Sequence, residues 1–237
     1  MGSDTAAALP LIVVTGMAFE ARIARGPGVE VVYAARADRL EHALTRALAR
    51  GASGVMSFGT AGGLAADLRP GALIVADAID GPLGRVATDA AWTQGIAAAL
   101  AAPSQPATMI VKHGALAAVT APVVSREQKE ALHRTTGALA VDMESHVAAE
   151  QARLRGLPFA ACRAVVDPAW RTLPLAATAG LRDDGTTALA PILRELARDP
   201  AQLPAMIRLA FDARAARASL VAARAILQRS GALRPAC

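Results

Sequence analysis

The stretch Ser57–Gly71, SFGTAGGLAADLRPG, sets a hydroxyl inside a run of glycines between two apolar segments. Glycine lets a chain bend tightly and lets backbone N–H groups approach a ligand closely. Gly59-Thr60-Ala61-Gly62-Gly63 is therefore expected to turn around something small, anionic or hydroxylated. On either side, GVMSFG (54–59) and GALIVADAI (71–79) have the length and composition of buried strands.

Outward from this unit, apolar runs alternate with helical patterns. LIVV (11–14) and VEVVYAA (29–35) read as strands, and Asp38 as the cap of a helix that Gly51 stops. Thr88 opens an alanine-rich helix to about 102, and 107–124 reads as two strands. Ser125 and Gln128 form a capping-box pattern opening a helix to about 135. GALAVDM is a strand, ESHVAAEQARLRG a helix and PFAACRAVVD a buried strand. After Asp167 the chain turns loop-like, then helical over 186–198, breaks at Asp199-Pro200, and runs as one helix from Leu203 to Gln228. Such alternation implies an α/β fold, a single domain over 1–237 with a mostly parallel or mixed central sheet flanked by helices and a helical tail at about 200–230.

Composition narrows the function. The 237 residues are 54% hydrophobic, enough for a full core. The two cysteines, Cys162 and Cys237, and the four histidines show no metal-ligand spacing, so a metal-free site without a cofactor is expected. A net charge of +5 is carried almost wholly by arginine, a bias that codon composition alone explains. Aromatics are only 3%, which argues against a nucleic-acid partner. The N-terminus lacks a basic leader, and Glu20 interrupts its uncharged run short of the about 18 residues a membrane span needs. The expected location is the cytoplasm.

In parallel α/β sheets, ligands gather beyond the carboxyl ends of strands. Glu20, Thr60, Glu144 and Asp167 each stand at such an end in this reading. Any one of them has an ordinary explanation as a helix-start acid or turn residue. Three acids and a hydroxyl together point to general acid/base chemistry on a polyhydroxylated substrate.

TGMAFE, SFGTAGGLAADLRPG, VDMESH and RAVVD, in this order, resemble the nucleoside phosphorylase and nucleosidase superfamily over about residues 10–170. The resemblance implies a partly barrel-like sheet, an enzyme that cleaves the N-glycosidic bond of a purine nucleoside, and a homo-oligomer. It implies that Gly59, Thr60, Ala61 and Gly62 hold the attacking phosphate or water, and that Met143 and Glu144 lie under the ribose. Asp167 would protonate N7 of the departing purine, and Glu20 would position and deprotonate water. Val123 and Val124, with Pro122, stand where relatives stack the base on an aromatic ring. Arg163, His146 and His113 receive no catalytic role.

Phosphorylases of the group clamp phosphate with arginines where this chain has Glu20 and Ser57, and a carboxylate repels phosphate. Water is thus the favoured nucleophile, with inorganic phosphate as the alternative co-substrate and Arg22, Arg85 or Lys129 as cations to hold it. The finer pattern, with the tail PAQLPAMIRLAFDARAARASL, resembles the hopanoid-associated phosphorylase branch. That implies a nucleoside-lipid substrate, adenosylhopane, which would lose adenine to give ribosylhopane or its phosphorylated precursor. Met206, Leu209, Ala210 and Phe211 opposite Arg208, Arg214, Arg217 and Arg224 suit peripheral membrane contact, or equally a last helix packed on the sheet. The rival readings are a methylthioadenosine/S-adenosylhomocysteine nucleosidase and a non-catalytic nucleoside-binding module.

Overall fold

The glycine stretch does not turn at Gly59. In the computed structural model, which describes residues 9–102, 105 and 109–235, Gly54–Gly63 is one unbroken strand, β3. The chain reverses only after it, with Gly71 at a left-handed φ of 87°. Gly59, Gly62 and Gly63 have no positive φ, so conformational freedom is not what these positions need. They need the absence of a side chain, as the site makes plain.

Eight strands and eight α-helices follow one another among the described residues. They are β1 Leu11–Thr15, α1 Ala18–Ala24, β2 Val29–Tyr33, α2 Ala37–Leu48, β3, β4 Leu73–Gly81, β5 Gly84–Ala87 and α3 Ala90–Leu100. Then come β6 Val111–Ala118, α4 Arg126–Thr136, β7 Ala140–Asp142, α5 Ser145–Arg153, β8 Phe159–Asp167, α6 Leu175–Ala179, α7 Leu189–Arg198 and α8 Leu203–Ser230. A single 3₁₀ turn, Pro200–Gln202, joins the last two helices.

The sheet closes on itself. β3 runs parallel to β8, β8 antiparallel to β4, β4 parallel to β6, β6 parallel to β7, and β7 antiparallel to the end of β3. These five strands make a ring, and β1 and β2 extend it beyond β3 while β5 hairpins off β4. The fold is thus a single α/β domain whose mixed sheet forms a partial barrel. Alternation along β3 serves two layers. Met56 and Phe58 join α8, with Ala216, Leu220, Ala223 and Leu227, while Val55 and Ala61 face the opposite cluster containing Leu40, Leu44, Val147 and Ala148.

Several local expectations are corrected. α2 is capped at Arg36, and Asp38 lies in its first turn, ion-paired to Arg36 at 2.7 Å. Asp89, not Thr88, caps α3 by accepting from Trp92 N at 2.8 Å, because the Thr88 hydroxyl bonds back to Ala76 O. The segment 107–124 supplies one strand, β6; its first residues lie outside the description, and 119–124 continue as loop. β5 went unanticipated because a mostly exposed edge strand carries no apolar alternation. The capping box at Ser125 and Gln128 is present as expected.

Cys162 is buried in β8, which pushes its thiol up to about 12 and leaves it inert; Cys237 lies outside the described residues. α8 packs on the sheet through its C-terminal half. There Arg224, expected as a surface cation, is buried and donates to Ala24 O at 2.9 Å. No helix among the described residues is long and apolar enough to cross a membrane. If α8 belongs to the domain, Leu220→Ala, at a site with no exposure, should cost about 2–5 kcal/mol in denaturant unfolding. The transition should stay single, not split in two.

Candidate active site

At one end of the barrel, four carboxylates meet at a cavity of about 180 Å³, on the order of ten times what one water needs. Glu20, Asp142, Glu144 and Asp167 line it with Thr60, Ala61, Gly62, Met143, Pro122, Val123 and apolar side chains. No lysine or arginine does. Sequence positions 20, 60, 144 and 167 thus converge as expected, although only Asp167 ends a strand. Glu20 sits in the first turn of α1, Thr60 lies within β3, and Glu144 is the residue that starts α5.

The glycines explain the approach. Across β3 and β8, Gly59 pairs with Arg163 and Gly62 with Asp167. A Cβ at Gly59 would lie 2.7 Å from Arg163 Nη1 and 2.8 Å from the Glu20 carboxyl carbon; at Gly62 it would lie 3.4 Å from both Asp167 oxygens. Each glycine leaves room for a charged side chain beside it. This is close approach, not a turn.

Glu20 is held by four donors. Its Oε1 accepts from Thr60 N and Thr60 Oγ1, both at 2.7 Å, and its Oε2 from Gly16 N at 3.1 Å and Met17 N at 3.0 Å. These fill the four lone-pair sites of an ionised carboxylate. The Thr60 hydroxyl, having spent its proton on Glu20, keeps lone pairs to accept from a bound water.

Arg163, which sequence reading left without a role, ties the cluster together. With no exposure to water, its Nη2 lies 3.1 Å from Glu144 Oε2 and donates to Ser57 Oγ at 2.6 Å. Its Nε lies 2.7 Å from Asp142 Oδ2, and its Nη1 donates to Thr60 O at 3.3 Å. Asp142 also accepts from Ser145, whose hydroxyl meets that of Ser57 at 2.8 Å. The spacing along β8 held no usable signal: an irregularity opposite Ala61/Gly62 leaves Val166 unpaired between Arg163 and Asp167, so simple alternation does not place the two on one face. Burial opposes the Arg163 charge, but Asp142, Glu144 and Glu20 more than offset it.

The carboxylates titrate under opposed influences. Burial, reinforced by Asp142 and Glu20, raises Glu144 to about 8 against the pull of Arg163. Asp167 is likewise raised by burial, opposed by Lys129, whose Nζ lies 2.5 Å from its Oδ2. Of the expected base-side residues, Val123 lines the cavity and Val124 does not. Val124 has its N–H bonded to Gln128 and its carbonyl to Leu173, so its backbone is not free to read a base edge. His146 packs its Cβ against Gly81, and His113 is exposed; neither lines the cavity. Of the cations expected to hold phosphate, Arg85 pairs with Asp80 and Lys129 with Asp167, while Arg22 lines a neighbouring groove. Among the described residues, no group of three or more metal-ligating side chains is suitably placed.

A partial barrel with acids gathered around one end defines a protein of nucleoside phosphorylase/nucleosidase type. The chain belongs to the Phosphorylase superfamily, whose family model matches residues 34–198. It is an enzyme of that class. No curated protein matches it in sequence. Among solved structures it is similar to a 5'-methylthioadenosine/S-adenosyl homocysteine nucleosidase of Helicobacter pylori (17% identity, TM-score 0.66, covering 94% of this chain and 97% of that one). It is also similar to a putative methylthioadenosine nucleosidase of Weissella paramesenteroides (18%, TM-score 0.61, 94% and 98%) and to a futalosine hydrolase mutant of Helicobacter pylori (19%, TM-score 0.58, 67% and 88%). At these identities the likeness is one of fold.

Two outcomes follow from the geometry. Gly59→Ala should displace Arg163 and Glu20 together, and a binding or activity assay should register the loss even where the variant still folds. For Glu144, the unfolded chain ionises near 4.5 and the folded one near 8, so the folded state keeps a proton the unfolded state has lost. Stability from this group is complete below about pH 4.5 and drains away as the pH climbs through 8. Glu144→Gln should therefore flatten that decline and raise Tm at pH 8 and above, at about 2–4 °C per kcal/mol recovered.

Proposed function

We propose that the protein is a hydrolytic purine nucleosidase. The observation that carries this reading is the sign of the cavity wall: four carboxylates and no cation among its lining side chains. Inorganic phosphate would find no lysine or arginine on that wall to pair with, whereas water needs only an acceptor and a positioned oxygen. Phosphate as co-substrate thus becomes the minor alternative.

In this mechanism Glu144 accepts from the ribose diol, with Met143 against the sugar. A water held by Thr60 attacks C1′ as the bond to N9 breaks through an oxocarbenium-like state. Its proton passes to the Thr60 hydroxyl as that hydroxyl gives its own proton to Glu20. Asp167 delivers a proton to N7, so the base leaves neutral. Pro122 and Val123, in place of an aromatic ring, bound the base with aliphatic surface.

For the 5′ substituent we infer an apolar group, adenosylhopane being the specific candidate and ribosylhopane the product. Supporting it, Met17, Ala35 and Leu181 add apolar side chains to the cavity wall, and Leu181 is 39% exposed. Nearby, α7 and the start of α8 expose Leu189, Leu193, Leu203, Ile207 and Phe211, which suits contact with an apolar surface at the inner face of the membrane or with another subunit. A methylthioadenosine/S-adenosylhomocysteine nucleosidase is the second reading, favoured by the names of the Helicobacter and Weissella structures.

The test is adenine release from methylthioadenosine, S-adenosylhomocysteine and adenosylhopane, each with and without phosphate. Release independent of phosphate, with adenosylhopane turned over fastest, is the expected result. A strict phosphate requirement would overturn hydrolysis, and tight binding of all three without base release would revive the non-catalytic binder. Asp167→Asn should lower kcat by about 10²–10⁴-fold.

A further inference from the structure

Lys129 is the one lysine or arginine besides Arg163 with no exposure to water among the described residues, and the chemistry above does not use it. It lies in the first turn of α4, where the Ser125/Gln128 capping box fixes the helix start. Its Nζ meets three acceptors: Asp167 Oδ2 at 2.5 Å, Arg171 O at 2.9 Å and Pro168 O at 3.1 Å. Three acceptors match the three N–H bonds of an ammonium; a neutral amine would turn a lone pair on one of them. Lys129 is therefore built to be a cation in the interior, and the only acid it touches is Asp167.

We propose that Lys129 is the positioning residue of the acid, holding Asp167 by Oδ2 so that Oδ1 faces the substrate, and stabilising the carboxylate left behind once the proton has gone to the base. The inference rests on the nucleosidase reading of Asp167 and deepens it. In the step itself the Oδ1–H bond breaks, an N–H bond forms at N7, and the C1′–N9 electron pair moves into the purine. The negative charge that remains on Asp167 lies in direct contact with the Lys129 ammonium. Without that contact a buried carboxyl would be a poor donor, since desolvation disfavours its charged form.

The two carbonyls give Lys129 a second effect. They belong to the loop 168–173, whose Leu173 lines the cavity and donates its N–H to Val124 O at 2.9 Å, beside the base-side residues Pro122 and Val123. One ammonium thus fixes the acid and the base wall in a single frame. The other charged group acting on Asp167 is Asp212 on α8, which raises its pKa and is itself paired with Arg171 at 3.1 Å. Lys129 is the cation in direct contact.

The experiment combines carboxyl titration with a double-mutant cycle. By ¹³C NMR on carboxyl-labelled protein, Lys129→Met should raise the Asp167 titration by about 1–3 pH units, while Lys129→Arg leaves it near its native position. With methylthioadenosine as probe, Lys129→Met should lower kcat about tenfold or more and move the alkaline limb of the pH profile upward. In an Asp167→Asn background the same substitution should change kcat less than about twofold, as expected of residues acting as one unit. Lys129→Gln, which keeps a donor toward Oδ2 without the charge, replaces Met should that variant not fold. An unmoved Asp167 titration, or an equal loss in both backgrounds, overturns the proposal. If the native enzyme released no base from any nucleoside, the nucleosidase reading would fall, and the NMR titration would still judge Lys129.

Discussion

Burying a guanidinium in a protein interior costs several kcal/mol unless anions and acceptors surround it, and Arg163 is surrounded. Asp142 ends β7 and Glu144 follows it, Ser57 and the Thr60 carbonyl belong to β3, and Arg163 itself is mid-strand in β8. The site is thus fastened to strands of the closed ring and not hung on loops. Removing Arg163 would strand Asp142 beside it, at a cost of about 3–5 kcal/mol. Glu20 then reaches the cluster through Thr60, and the whole arrangement depends on Gly59 having no side chain where the arginine passes.

A second buried cation repeats the device on the opposite wall. Lys129 and Asp167 join α4 to the end of β8, as Arg163 joins β8 to β7 and β3. Both cations stand behind the acids and neither lines the cavity. The wall presented to a ligand is consequently carboxylate, hydroxyl and aliphatic, with positive charge kept one layer back. That separation lets several acids share a small space: Glu144 and Asp167 are raised by burial, and each is restrained by its own cation.

Much of the fold was legible in the chain. Buried strands such as β1 and β8 announce themselves as apolar runs, and the α4 start by Ser125 and Gln128. The elements that escaped were those whose stability is not local. β5 is an exposed four-residue edge held by β4, and the continuation of β3 through Gly59–Gly63 is held by pairing to β7 and β8. Glycine-rich sequence has weak strand propensity of its own, so reading that stretch in isolation gives a turn. Neighbouring strands and the bulk of Arg163 and Asp167 decide otherwise.

The same division runs through the site. Residue types and order marked Glu20, Thr60, Glu144 and Asp167, because acids and a hydroxyl interrupting apolar runs are costly unless they serve something; Met143 was added only by the family resemblance. What the sequence did not hold was partnership: that Arg163 belongs to Asp142 and Glu144, that Lys129 lies against Asp167 and not on the surface, and that Val124 is turned away while Val123 is not. Those choices arise from ring closure, which brings together strands far apart in the chain. A charged side chain finds its partner only when the interior around it excludes water.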